Sequence, residues 1–520
     1  MSAKERAKNP RILIVTPEIT YLPEGMGNLA GKMSAKAGGM ADVSASLVQA
    51  LHQLGADVHV ALPHYRRMFH VETAALVADE LRKYKSHLPD ERIHLAEDRC
   101  FYYRDTVYSQ GDGNLKLALA FQREVINNII PRVQPDLIHC NDWMTGLIPA
   151  AARRMGIPCL FTVHNIHTHK LNLAQIEDSG IDAAEFWTNL YYNYPPYNYE
   201  ESRDRNLIDL QASGCFAAHF INTVSPTFLR EIVNGWHSFV PDSIRNEIRN
   251  KFNAGCAAGI LNAPDPGDNP LTDDKIPFKY GPENHRAMKR ENKLALQHAL
   301  GLEENAGKAL FFWPSRLDPV QKGPQLLTDI TYRFLERHPD AQLAIIANGP
   351  FQQPFWDIQN FHGIHDRLGI HNFDGRLSQL GFAASDFTLM PSLFEPCGLP
   401  QMQAPIYGSL AIAHNTGGLH DTVEPLDFQN GRGNGFVFDN YDSNGLNWAM
   451  DQAMDFFHQG AELKEREIAR VMTESLSRFN HHACAEEYIR LYERMLDRAL
   501  VKREVSEGKL KPPEPRTIEE

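Results

Sequence analysis

Residues Asp386–Val423 read DFTLMPSLFEPCGLPQMQAPIYGSLAIAHNTGGLHDTV. Asp386 to Ser392 is a short apolar run bounded by turn residues, the pattern of a buried strand. It breaks at Phe394-Glu395-Pro396-Cys397-Gly398 and resumes as a helix near Leu399-Pro400, where proline suits the first helical position. A second run, Ser409 to Ala413, leads into Thr416-Gly417-Gly418 and another helix start. Strand, tight turn, helix, repeated, is the unit of a parallel α/β sheet. Ligands of such sheets sit outside the carboxyl ends of the strands, where helix N-termini offer unpaired N–H groups to anions. Glu395 falls on that edge. A carboxylate beside an anion-seeking turn predicts a nucleotide-sugar site.

Upstream of this stretch the same unit recurs. A helix over Asn284–Leu300 precedes a strand, Ala309–Trp313, that ends in PSRLDPVQKG, residues 314–323. Gln342–Ile346 is the next strand, running into Ala347-Asn348-Gly349-Pro350, and Gly433–Phe438 reads as a last one. Arg316 and Lys322 flank a strand-to-helix turn. With Asp318 between them they make either a local surface charge cluster or a cation pair able to neutralise a diphosphate leaving group. A long helix over about His482–Lys502 carries Tyr488, Leu491, Tyr492, Met495 and Leu496 on one stripe. The charged, Pro-containing tail from Glu504 reads as disordered.

The first half follows the same grammar. Arg11–Thr16 is a buried strand ending at Pro17-Glu18, and Lys36-Ala37-Gly38-Gly39-Met40 opens a helix over Ala41–Leu54. Taken alone, that turn is a linker with a solvated Lys or a phosphate cradle of close backbone plus a point charge. Val58–Leu62 is the next strand. Leu115–Phe121 alternates like a strand, and Gln122–Val133 reads as a helix. Asp136–Cys140 is a strand ending in Asn141-Asp142-Trp143, followed by a helix over Thr145–Met155 and the strand Cys159–Val163, which ends at His164-Asn165. Glu18, Asp142 and His164 thus follow three strands on one sheet edge. Each alone is an ordinary capping group; three together predict a site. Ile221–Val224 and Gly259–Asn262 close this half, and the Pro-, Gly- and Asp-rich stretch from Ala263 to about Pro282 is the linker. Two α/β series and one linker predict two facing sheets with a cleft between them.

Composition agrees. A chain of 520 residues, 43% apolar and 22% charged, is a soluble globular protein too long for one ordinary domain. A net charge of −13, spread through the chain, gives no support to a nucleic-acid or acidic-membrane partner. The seven Cys (100, 140, 159, 215, 256, 397, 484) form no C-x-x-C pair and read as reduced thiols of a cytoplasmic enzyme. No leader or membrane-spanning stretch is evident. Cys397 has no His partner in sequence and reads as a buried thiol rather than a nucleophile, and His167-Thr168-His169 reads as a polar loop rather than a metal site.

Eight motifs in order identify a resemblance. They are KAGGMADV from Lys36, HCNDW from His139, TVHN from Thr162, TVSP from Thr223, GILN from Gly259, SRL from Ser315 with QKG from Gln321, PS from Pro391 with FEPCGL from Phe394, and YG from Tyr407 with TGGL from Thr416. From about Arg11 to Leu496 the chain resembles the bacterial glycogen synthase and plant starch synthase family of glycosyltransferases. The resemblance implies an α/β fold of two Rossmann-like domains facing each other across a cleft (GT-B), with a C-terminal helix crossing back to the first. The limits are 1–265 for the acceptor-side domain, 266–480 for the nucleotide-sugar domain, 481–503 for the crossing helix and 504–520 for the tail. It implies retaining transfer of glucose from ADP-glucose to the non-reducing end of an α-1,4-glucan, with no cofactor and no metal. Glu395, His164, Asp142, Arg316 and Lys322 carry over as catalytic. Lys36, Gly38, Gly39, Cys397, Gly398, Leu399, Thr416, Gly417 and Gly418 carry over as donor-binding.

Four departures from the family pattern bear on donor preference. Pro400 stands where Thr or Asn is usual and removes one N–H. Ala347–Pro350 replaces a more glycine-rich turn, Tyr21–Met33 lengthens the connection to Lys36 and reads as a lid, and His481-His482 replaces a Trp. The alternatives are a UDP-glucose transferase with a small acceptor, of the sucrose synthase kind, and a silent glucan-binding protein. The presence of Arg316, Lys322 and Glu395 argues against the second.

Overall fold

The computed structural model describes residues 9–27, 30–69, 91–108 and 113–501. The first sheet is built from β1 (Arg11–Val15), β2 (Asp57–Pro63), β3 (Ile93–Ala96), β4 (Leu137–Asn141) and β5 (Cys159–Val163). After a small antiparallel ribbon, β6 (Lys170–Leu171) with β7 (Ile208–Asp209), it is completed by β8 (Phe220–Thr223) and β9 (Ala257–Gly259). Its order is β3-β2-β1-β4-β5-β8-β9, parallel throughout. The second contains β10 (Ala309–Trp313), β11 (Ala341–Ile346), β12 (Leu368–His371), β13 (Phe387–Met390), β14 (Leu410–His414) and β15 (Gly435–Phe438). Its order is β12-β11-β10-β13-β14-β15, again parallel. Buried on both faces, these strands are almost continuously apolar, as parallel strands under helices must be.

Strand order reverses between β1 and β4 in the first sheet and between β10 and β13 in the second. Such switch points open a crevice at the strands' carboxyl ends. The loops leaving those four strands carry Glu18, Asp142, Arg316 with Lys322, and Glu395. Topology alone therefore gathers the residues that the sequence scatters over nearly 380 positions.

One predicted strand is a helix. Leu115–Phe121 lies inside the helix Gly113–Glu124, which continues through a π turn, Val125–Ile129, into Ile130–Val133. The L-K-L-A-L-A-F alternation mimics a strand, but Ala118 and Ala120 are strong helix formers and the run has no turn residue to stop it. Pro131 enters just after the π turn, where the hydrogen-bond ladder is already shifted. The helix predicted over Thr145–Met155 is shorter, Ile148–Arg154, after a 3-10 turn at Trp143–Thr145. Of the segment 21–33 read as a lid, the described residues Leu22, Met26, Ala30 and Met33 are buried in the first core.

The last helix, His481–Leu496, returns to the first domain. The Tyr492 hydroxyl meets His139 Nδ1 at 2.7 Å, and Asn222 Nδ2 donates to the Tyr488 hydroxyl at 3.0 Å. Its buried stripe, Cys484 to Tyr492, belongs to the same core as β1 and β4. The tail 504–520 lies outside the described residues. None of the described helices is long and apolar enough to cross a membrane.

Candidate active site

The turn after β1 is held by Glu18. Its Oε2 accepts from the backbone N–H of Ala37 at 2.7 Å and of Gly38 at 3.0 Å, and burial pushes the carboxyl upward. The Gly38 N–H that the sequence offered to a phosphate is therefore already occupied. Lys36 also differs from expectation. Its ammonium turns to Asp42, 2.7 Å from Oδ2, and it lines a separate acidic recess with Asp265 and Asp268 instead of the central cavity.

Asp142 leaves β4 with φ +56° and ψ 179°, a region where a side chain costs about 1–3 kcal/mol. The strain persists because its carboxylate ties two strand ends together. Oδ1 accepts from the His164 N–H at 2.8 Å, and Oδ2 from Asn165 Nδ2 at 2.6 Å. Burial raises its pKa to about 7. His164 meets Asn141 Oδ1 through Nε2 at 2.9 Å, and burial lowers its pKa to about 4, so the ring is neutral. The loop His167–His169 is polar, as predicted: Thr168 donates to Asp209 and the His169 ring packs on Trp143.

On the opposite wall, Lys322 Nζ lies 2.5 Å from Glu395 Oε2; the Glu395 side chain is buried and that of Lys322 mostly so. Ser392 Oγ adds a 3.1 Å bond to the same oxygen. The turn before them needs Gly323: φ is +73°, and a Cβ there would lie 2.2 Å from the Pro391 carbonyl oxygen. Asp318 does not pair with its neighbours; its Oδ1 accepts from the Val320 N–H at 2.9 Å. Arg316 is exposed, and its guanidinium has no partner among the described residues. That combination removes the surface-cluster reading of the pair.

Cys397 is buried with its thiol pushed far up, so it is not a nucleophile. Gly398 (φ +73°) and Leu399 end the turn, with Pro400 as the first residue of the helix Pro400–Ile406. Thr416 and Gly417 point elsewhere. The Gly417 N–H donates to Glu231 of the first domain at 2.8 Å, and Thr416 Oγ1 donates to the same oxygen at 3.1 Å. The Gly418 N–H donates to the Glu395 carbonyl at 2.9 Å. None of the three lines the cavity, and the Gly418 bond ties this turn to the Glu395 backbone. Glu231 lies about 185 residues upstream, which no local pattern reveals.

The two walls enclose a cavity of about 870 Å³, lined by Glu18, Gly38, Gly39, Asp142 and His164 from one domain. Arg316, Lys322, Glu395, Gly398 and Leu399 line it from the other. Arg316 also borders an adjoining, largely apolar pocket of about 660 Å³ between Ser315–Asp318, Ala347–Pro350 and Phe373. Phe373, two positions after β12, carries no polar group that would mark it in the sequence. Among the described residues, no group of three His, Cys, Asp or Glu could hold a metal.

Comparison with known proteins agrees with this fold. Residues 11–242 match the family model of the starch synthase catalytic domain, and residues 301–466 that of glycosyl transferases group 1. Glycogen synthase of Cellvibrio japonicus is 33% identical over 83% of this chain and 92% of its own. That of Bacillus licheniformis is 30% identical over 88% and 95%. The catalytic domain of starch synthase IV from Arabidopsis thaliana, solved with ADP and acarbose, superposes with a TM-score of 0.75 at 25% identity, covering 94% of this chain and all of that one. Sucrose-phosphate synthase from Thermosynechococcus elongatus shares the fold at a TM-score of 0.54 and 17% identity, over 94% of this chain and 99% of its own.

Proposed function

Because the chain belongs to the glycogen synthase and starch synthase family and is a hexosyltransferase, we propose that it transfers glucose from ADP-glucose to an α-1,4-glucan. The glucose goes to the 4-hydroxyl at the non-reducing end, and its anomeric configuration is retained. A nucleotide-sugar donor and a glucan acceptor follow from the family; the adenine nucleotide rests on the starch synthase solved with ADP. One observation carries the reading at this site: an unpartnered Arg316 and the Lys322–Glu395 pair face Asp142 and His164 across a single cavity.

As the donor's C1–O bond breaks, its electron pair goes to the diphosphate and C1 gains positive character. Arg316 and Lys322 meet the growing negative charge as cations, Lys322 held in place by Glu395 and Arg316 free to turn to the diphosphate. The N–H groups of Gly398 and Leu399, which nothing among the described residues accepts, add their dipoles. Pro400 adds none, and Lys36, committed to Asp42, is not in this set. Glu395, its charge held by Lys322, stabilises the glucosyl unit from below. Neutral His164 contributes hydrogen bonds without charge, while Asp142 positions the His164-Asn165 turn. The acceptor O4 bonds to C1 from the face that the diphosphate leaves, and its proton passes to a leaving phosphate oxygen, which accounts for retention. The apolar pocket at Phe373 suits a planar base. The domain limits at 265/266 and 480/481 belong to the same proposal, supported by the helix His481–Leu496 packing on the first core.

The test supplies purified protein with ADP-glucose or UDP-glucose and glycogen, and follows nucleotide release and chain extension. Extension from ADP-glucose is expected. Extension from UDP-glucose alone would overturn the donor, release without glucan extension would indicate a small acceptor, and no reaction with either would sink the reading.

A further inference from the structure

Four cations stand on one face of the helix His285–Leu300. Arg286, Lys289, Arg290 and Lys293 follow the three- and four-residue spacing that aligns side chains along a helix. Like charges at that spacing repel, and the chain as a whole carries −13. All four, joined by Lys464 from the helix Ala461–Arg478, border a recess of about 280 Å³. The recess lies at the amino ends of β13 and β14, beside Phe387 and Leu410, on the sheet edge opposite the cavity described above.

Only two carboxylates answer these five cations. Asp386 pairs with Lys293 at 2.6 Å, and Glu465 with Arg286 at 3.0 Å. Lys289, buried, donates to the carbonyl oxygens of Ala383, Ser385 and Tyr407 at 2.9–3.1 Å, which are dipoles and carry no net charge. Lys464 likewise donates to the Phe457 carbonyl at 2.5 Å. Arg290 is exposed and has no partner among the described residues. The floor is apolar, made by Phe387, Leu410, Phe456, Phe457 and Ile468. Asp386 also attracts Lys289 and Lys464, so among the described residues five cations share two carboxylates over a half-enclosed apolar floor, an excess of positive charge that suits a small dianion with an attached organic group.

We infer that this recess binds a phosphate dianion, either inorganic phosphate or the phosphate of a monosaccharide whose ring lies on the Phe456–Phe457 floor. Burial lowers the Lys289 pKa to about 7, and a bound dianion would hold that ammonium charged. The site shares no residue with the catalytic cavity and stands whether or not the donor assignment holds.

Calorimetric titration of the full-length protein with inorganic phosphate and, separately, with glucose 1-phosphate tests it. The proteins compared are wild type, Arg290→Glu, Lys464→Glu and Arg316→Ala, each checked for an unchanged melting temperature. Wild type is expected to bind one equivalent, with Kd raised at least tenfold in each of the two recess variants and unchanged in Arg316→Ala. Tighter binding of glucose 1-phosphate identifies a sugar phosphate as the ligand; equal affinities identify free phosphate. Absence of binding at millimolar concentration, equal Kd in all four proteins, or loss confined to Arg316→Ala would overturn the inference.

Discussion

The carboxylate of Glu231 reaches from the first domain to the backbone N–H of Gly417 in the second, at 2.8 Å. The contact is answered in reverse: Asp421 of the second domain accepts from the Thr227 N–H at 2.9 Å and the Thr227 hydroxyl at 2.7 Å. Each domain thus places a carboxylate on the first turn of a helix in the other, where it meets unpaired N–H groups and the positive end of the helix dipole. Glu231 also holds His237 at 2.8 Å; burial alone would raise its carboxyl, but His237, the Gly417 N–H and the Thr416 hydroxyl together hold it below the ordinary range.

Glu231→Ala should therefore destabilise the protein by roughly 2–4 kcal/mol, since it strands the Gly417 N–H and the His237 ring together. Glu231→Gln, which keeps an acceptor, should lose less than half of that. Thermal melts of both variants decide it; equal, small losses would show that the reciprocal caps contribute nothing.

Lys322 and Glu395 should separate catalysis from stability. Lys322→Ala and Glu395→Ala are each expected to lower kcat at least 100-fold. Glu395→Ala should also lower the melting temperature, because it leaves a mostly buried ammonium unpaired, at a cost of about 3–5 kcal/mol. Steady-state rates beside far-UV circular dichroism and melting curves make the comparison, and near-wild-type rates would remove both residues from the site.

Arg316 gives the cleaner case. Being exposed and unpartnered, it can be truncated to Ala with a stability change within about 0.5 kcal/mol. Turnover should fall about 100-fold or more. A variant that lost stability and activity in proportion would make Arg316 structural instead.

Phe373→Ala should raise the donor KM about two- to tenfold with kcat little changed, the loss of one aromatic contact being worth about 0.5–1.5 kcal/mol. An unchanged KM for ADP-glucose would mean that the base lies elsewhere.

Asp142 makes stability depend on pH. In the unfolded chain its carboxyl loses its proton near pH 4; in the folded protein burial delays that to about pH 7. Between these values the folded state holds the extra proton, so this contribution is full below about pH 4 and is lost as pH rises to about 7. It amounts to at most about 4 kcal/mol. Relative to Asp142→Asn, wild type should lose melting temperature between pH 5 and pH 8; a constant difference would show that the carboxyl does not titrate there.

Much of this was readable in the sequence because strand ends are readable. Apolar runs such as ALFFW at Ala309–Trp313 announce themselves, and whatever follows them falls on the reactive edge. What escaped depends on direction across the fold. Lys36 sits where expected in the chain, yet its side chain turns to Asp42. The Gly38 N–H is free in sequence, yet Glu18 occupies it. Thr416 and Gly417 begin a helix as predicted, but their partner is Glu231, from the other domain. The Leu115–Phe121 error has a different source: alternation outweighed the alanines that favour a helix.

The buried helix His481–Leu496 also fixes an order of events during synthesis. The first core, which contains β1 and β4, lacks Tyr488 and Tyr492 until the chain is nearly finished. At about 5–20 residues per second, the more than 200 residues after Pro264 take roughly 10–40 s or longer to make. Throughout that interval the nascent amino-terminal half exposes the groove that the last helix will fill. A fragment cut at the linker inherits the same gap, and residues 481–501 supplied in trans are the natural piece to close it.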